Sequence, residues 1–111
     1  MRYMFLLFNE DVSKTPTPEM MAPWIKFGEA ATKVATQTSS EALQPPETAS
    51  VVSVRNGETF VTDGPFIDTK EQLGGFYVFD CKNLDVALEL ATKILWAPTG
   101  HIEVRPVLEM E

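Results

Sequence analysis

Apolar positions along the chain fall into blocks with different rhythms, and each rhythm predicts an element. Residues 3–8, "YMFLLF", are apolar without a break and stop at Asn9, Glu10 and Asp11, as in a strand buried on both faces. From Thr17 the period changes to that of a helix: Met20, Trp24, Phe27, Ala31 and Val34 recur on one side, with Thr17 as cap and Pro18 at the first helical position. Pro23 lacks an amide donor and crowds the preceding turn, so it predicts a kink or a separate first turn. Residues 41–50, "EALQPPETAS", read as a loop, and "VVSVRNGETFVTDG" after them reads as two short strands around Asn56-Gly57, a strong hairpin signal. Residues 74–80, "GGFYVFD", form a second strand with apolar residues on both faces. A second helix follows over residues 83–95, capped by Asn83, with Leu84, Leu88, Ala91 and Leu95 as its apolar stripe. The last block, "HIEVRPV", alternates: Ile102 and Val104 point one way, His101, Glu103 and Arg105 the other.

The order strand, helix, hairpin, strand, helix, strand predicts an α+β, ferredoxin-like split βαβ fold: an antiparallel sheet, two helices on one face and an extra hairpin. With 111 residues there is material for one core, so residues 1–111 are read as a single domain. Helices on one face leave the other uncovered. The central strands would show large apolar side chains there, more than a lone soluble domain exposes, and this predicts a homodimer packed sheet to sheet with a pocket inside.

Charge and cysteine content narrow the partners. The formal net charge is -7 and the sequence pI near 4.6, and nine scattered Lys and Arg offer little to a phosphate backbone, so neither nucleic acid nor an anionic membrane is expected as a partner. Cys81 is the single cysteine, which rules out an intrachain disulfide and a cysteine-based zinc cage and points to a reducing compartment. The apolar start lacks the pattern of a signal peptide, so a cytoplasmic location is the expectation. No glycine fingerprint and no metal-ligand cluster is present, and no cofactor is expected.

Two regions carry candidate chemistry. If Ile102 and Val104 face the helices, His101, Glu103 and Arg105 face the uncovered side among aromatics, a setting that suits acid–base work; the same charged row also fits an edge strand protected from aggregation. Tyr77 offers a hydroxyl donor from the central strand. The other region is "TDGPFIDTKEQLGGF", residues 62–76. Asp63 begins a turn, as general acid or base or as a purely structural turn residue; Phe66 walls a pocket or fills a core; Glu71 is a further carboxylate. The spacing of Thr69 with Gln72, and of Asp68 with Glu71, predicts a short helical turn.

"VTDGPFIDTKEQLGGFYVFD", with "LQPPETASVVSVRNGE" before it and "IEVRPV" after it, resembles the YCII-related family, in its branch with the Asp-Gly-Pro-Phe signature. The resemblance implies a dimeric α+β barrel formed by two ferredoxin-like protomers. It implies acid–base chemistry on a small organic molecule, as among barrel relatives that are monooxygenases, lactone isomerases and dehydrochlorinases. It also implies a histidine paired with an aspartate, the latter matching Asp63. The first half of this chain contains no histidine, and His101 stands in the last strand. A second expectation from the resemblance is a ligand-sensing or accessory module that partners a sigma factor.

Overall fold

The computed structural model describes residues 1–12 and 17–110. Strand β1 (Arg2–Asn9) leads to helix α1 (Pro18–Ala31), then β2 (Ala35–Ala42), a single 3-10 turn (Pro46–Thr48), the hairpin β3 (Ser50–Arg55) and β4 (Glu58–Asp63), β5 (Gln72–Cys81), α2 (Leu84–Ala91) and β6 (His101–Pro106). Four strands form one antiparallel sheet in the order β2-β5-β1-β6, while β3 and β4 pair only with each other. Taking the hairpin out leaves βαββαβ with the chain crossing the sheet as a ferredoxin-like fold does.

Strand β2 is the element that the apolar pattern does not announce. Its sequence, ATQTSSEA, is polar, and residues 35–42 read as a helix tail followed by loop. It is an edge strand, pairing on one side only with β5 from Ala35↔Cys81 to Ala42↔Gly75. Such a strand needs backbone pairing more than side-chain burial, and a polar edge resists further pairing. Helix α1 therefore ends at Ala31, and Val34 lies outside it, exposed.

The two helices cover one face. Tyr3, Phe5 and Leu7 of β1 and Phe79 and Cys81 of β5 meet Phe27 and Ala31 of α1 and Ala87, Leu90, Ala91 and Ile94 from and after α2. At the centre Phe5 sits edge-on to Phe79, with ring centroids 5.4 Å apart. Thr17 caps α1 by accepting the Met20 N–H, and Pro23 is held within one undivided helix. Asn83 caps α2 in the same way through Val86 N–H at 2.9 Å. The stripe of α2 is turned by one position from the expected one: Ala87, Leu90, Ala91 and Ile94 are buried, whereas Leu84 and Leu88 are exposed. Both stripes have helical spacing, and the small Ala87 and Ala91 let the helix lie close to the sheet.

At the hairpin tip Asn56 and Gly57 both have positive φ, 52° and 77°, as the two-residue turn requires. The hairpin touches the rest of the chain little, and the molecule is a thin plate with extents of 48 × 42 × 19 Å. Among the described residues no helix is long and apolar enough to cross a membrane.

Candidate functional site

Ile102 and Val104 pack against the helix-side core, so the alternate residues of β6 stand on the uncovered face. The register gives each of them an apolar neighbour on β1: His101 lies opposite Phe8, Glu103 opposite Leu6, and Arg105 opposite Met4. One strand further, Leu6 meets Phe76 and Met4 meets Val78. A polar row thus borders an apolar floor. Arg105 donates from Nη2 to Glu103 Oε2 at 2.6 Å. His101 Nδ1 contacts both oxygens of Glu71, at 2.9 and 3.0 Å, bridging thirty positions of sequence.

This contact is uneven in exposure. The Glu71 side chain is 30% exposed, and the imidazole it holds is 79% exposed. In the tautomer that donates Nδ1–H to the carboxylate, Nε2 is the acceptor of a largely exposed ring, the arrangement a general base needs. Neither residue signals the other in sequence. Their meeting depends on Phe8, which pairs with Leu73 on one side and His101 on the other and so draws the start of β5 towards the start of β6.

Asp63 lies elsewhere. It ends β4 and lines an open cleft of about 510 Å³ together with Glu10, Val12, Pro46, Glu47, Gly64, Pro65, Asp68, Thr69, Lys70 and Gln72. Gly64 turns the chain there with φ 91°, which side-chain-bearing residues avoid, and its N–H closes the hairpin base on the Ala49 carbonyl at 2.8 Å. No helical turn forms between Ile67 and Leu73. The Thr69 and Gln72 spacing serves a loop clasp instead: Gln72 Nε2 donates to the carbonyls of Ile67 and Thr69 at 2.9 and 2.8 Å, and Thr69 Oγ1 donates to the Glu71 carbonyl at 2.7 Å. A capping box needs a following helix, and β5 begins at Gln72. The clasp fixes the segment that carries Glu71. Neither Glu71 nor His101 lines the Asp63 cleft, although Gln72, next to Glu71, does.

A YCII-related domain matches residues 1–111. The chain belongs to the YCII-related family. It is also 49% identical over 67 residues to an uncharacterised protein of Rhizobium meliloti (strain 1021), a match that takes in 59% of this chain and 54% of that protein. The chain thus matches about half the length of that curated relative.

The remaining expected site residues of this YCII-related protein are dispersed. Tyr77 projects to the helix side, stacked on Phe79 with centroids 5.3 Å apart, so the sheet separates it from His101, Glu103 and Arg105; burial pushes its phenol pKa up. Phe66 stands out from the loop, 83% exposed. Gly74 and Gly75 have packing reasons. A Cβ at Gly74 would fall on the Trp96 indole, and one at Gly75 would lie 2.8 Å from the Glu41 carbonyl oxygen. Among the described residues no group of three or more His, Cys, Asp or Glu is placed to hold a metal ion.

Proposed function

We propose that this YCII-related protein is an acid–base enzyme that moves a proton on a small, neutral or cationic organic molecule, working as a homodimeric α+β barrel. The observation that carries this reading is the contact of His101 Nδ1 with Glu71. A carboxylate that receives Nδ1–H orients the ring and stabilises the imidazolium formed when Nε2 takes a proton.

In the proposed reaction Nε2 of His101 accepts a proton from an acidic C–H. In isomerisation the C–H electron pair shifts a double bond and the proton returns to a different carbon. In elimination the same electron pair forms the double bond while the leaving group departs with its own bonding pair. Phe8 and Leu6 seat the apolar body of the molecule, and Glu103 and Arg105 meet a polar substituent, since the register places them beside that floor. Asp63, in its separate cleft, is a second acid–base group for a molecule bound there rather than for one seated at His101. That cleft presents four carboxylates, from Glu10, Glu47, Asp63 and Asp68, against the single ammonium of Lys70, so an anionic ligand is disfavoured there. A second copy over the uncovered face supplies the water-poor surroundings in which such charges act strongly.

The test is a thermal-shift screen of neutral and cationic small molecules, followed by solvent hydrogen–deuterium exchange into each hit. A ligand at 100 times its Kd stabilises by about 2.7 kcal/mol, a rise of about 10 °C for a domain of this size. The expected result is exchange at one carbon of the hit that is lost in His101→Asn and reduced in Glu71→Gln, with binding retained, whereas a hit seated in the Asp63 cleft loses its exchange in Asp63→Asn. Exchange that persists in His101→Asn removes the proposed base. Binding without exchange in the wild type assigns the protein to ligand sensing, and its partner is then sought among regulators such as a sigma factor.

A further inference from the structure

The hairpin is an isolated two-stranded ribbon, a structure with little stability of its own in water. Strand alternation puts Ser50, Val52 and Val54 of β3 on one face with their cross-strand partners Asp63, Val61 and Thr59. On that face Val52 is 63% exposed, Val54 56% and Val61 63%. Three β-branched apolar residues form a continuous strip, with Asp63 at its base, and none of the described residues covers it.

The dimensions indicate what does. The radius of gyration is 16.0 Å, whereas a compact chain of this length has about 13 Å. A four-stranded sheet face, at about 4.8 Å per strand and about 3.3 Å per residue, offers about 500 Å² in projection. A stable pair of proteins needs about 800 Å² from each side. The hairpin face, three valines beside Ser50, Thr59 and Asp63, adds about 200 Å² by the same measure and brings the projected total to about 700 Å².

We propose that the β3–β4 hairpin is an arm that lies on a second copy of this chain, seating Val52, Val54 and Val61 on it and closing the surroundings of Asp63 with the partner's surface. The proposal rests on the two-copy reading above. Because Thr59, Val61 and Asp63 alternate on one face, whatever covers the valines also meets Asp63, and the Asp63 cleft is complete only in the pair.

Sedimentation of the wild type and of a V52T/V54T/V61T variant tests this. Threonine keeps the shape and strand preference of valine while removing an apolar methyl. With three lost methyls per arm and two arms per dimer, the dissociation constant is expected to rise at least about 100-fold. A second measurement uses Val54→Cys in the otherwise intact chain. Its thiol is the only accessible one, as Cys81 is 1% exposed, and its alkylation is expected to accelerate at least about 10-fold on dilution from dimer to monomer. A wild-type dimer with an unchanged constant in the triple variant, or with Val54→Cys alkylated equally fast at all concentrations, overturns the arm and leaves the two-copy reading standing. A wild type that stays monomeric overturns both.

Discussion

Replacing Gly74 by alanine separates two explanations of the Gly-Gly pair, room for a ligand and room for a side chain of the protein itself. The added Cβ would sit 2.6 Å from Cζ3 of the Trp96 ring and 3.0 Å from Cγ1 of Val12, where ordinary carbon contacts lie at about 3.5 to 4.0 Å. The ring must yield by about 1 Å, and it is not free to do so: Trp24 stands edge-on to it with centroids 5.9 Å apart. Overpacking of this kind costs about 2 to 3 kcal/mol. For 111 residues the unfolding entropy is about 0.23 kcal/mol/K, so the melting temperature should fall by about 10 °C. Urea unfolding followed by far-ultraviolet circular dichroism gives the energy directly, with a midpoint lower by about 1 to 2 M. The decisive step is a double-mutant cycle with Trp96→Leu. If the clash is the cause, Gly74→Ala in the Trp96→Leu background costs less than about 0.5 kcal/mol, a coupling of about 2 kcal/mol. Additive effects, or a stable Gly74→Ala single variant, refute the packing explanation and return the glycine to the ligand.

Three further outcomes follow from the geometry. Phe79→Ala empties the centre of an aromatic cluster whose members lie 5.3 to 6.3 Å away and should cost about 4 kcal/mol, whereas Phe66→Ala should stay within about 0.5 kcal/mol; chemical denaturation of both variants at one protein concentration checks the contrast. Asn83→Ala removes the acceptor for Val86 N–H and should cost about 1 kcal/mol, with Asn83→Asp recovering most of it. Burial raises the pKa of the Cys81 thiol above its ordinary 9.0 and that of the Tyr77 phenol above its ordinary 10.0. Above about pH 9 the unfolded chain therefore releases protons that the native chain retains, stability falls as pH rises, and Cys81→Ala with Tyr77→Phe should flatten the decline in urea titrations between pH 8 and 11.

The elements legible in the sequence were those whose local chemistry agrees with their final environment. The unbroken apolar run of β1, the Asn-Gly turn and the Thr17 and Asn83 caps each state their structure within a few residues. Strand β2 does not, because its place depends on backbone pairing with β5, forty residues away, and its side chains have little to bury. The phase of α2 was obscured by an abundance of leucine: Leu84 and Leu88 fit a stripe as well as Leu90 and Ile94 do, and only the sheet decides between them. For the site, the outward row of β6 was legible by alternation. The partnership of His101 with Glu71 was not, since it is produced by the register across β1. The Thr69 and Gln72 spacing has the form of a cap and serves as a clasp, because the same donors and acceptors hold a loop where no helix follows.

Leu43 N–H donates to the Gly74 carbonyl at 2.9 Å, so the two ends of the long excursion that carries the hairpin, Asp63 and Glu71 are already joined by a backbone bond. The scaffold and the excursion are thereby separable: a tight turn from β2 into β5 would leave every strand of the four-stranded sheet paired as before. Selection or design can rewrite residues 44–71 in length and chemistry without disturbing the core, and related chains with this frame are free to differ most in that excursion.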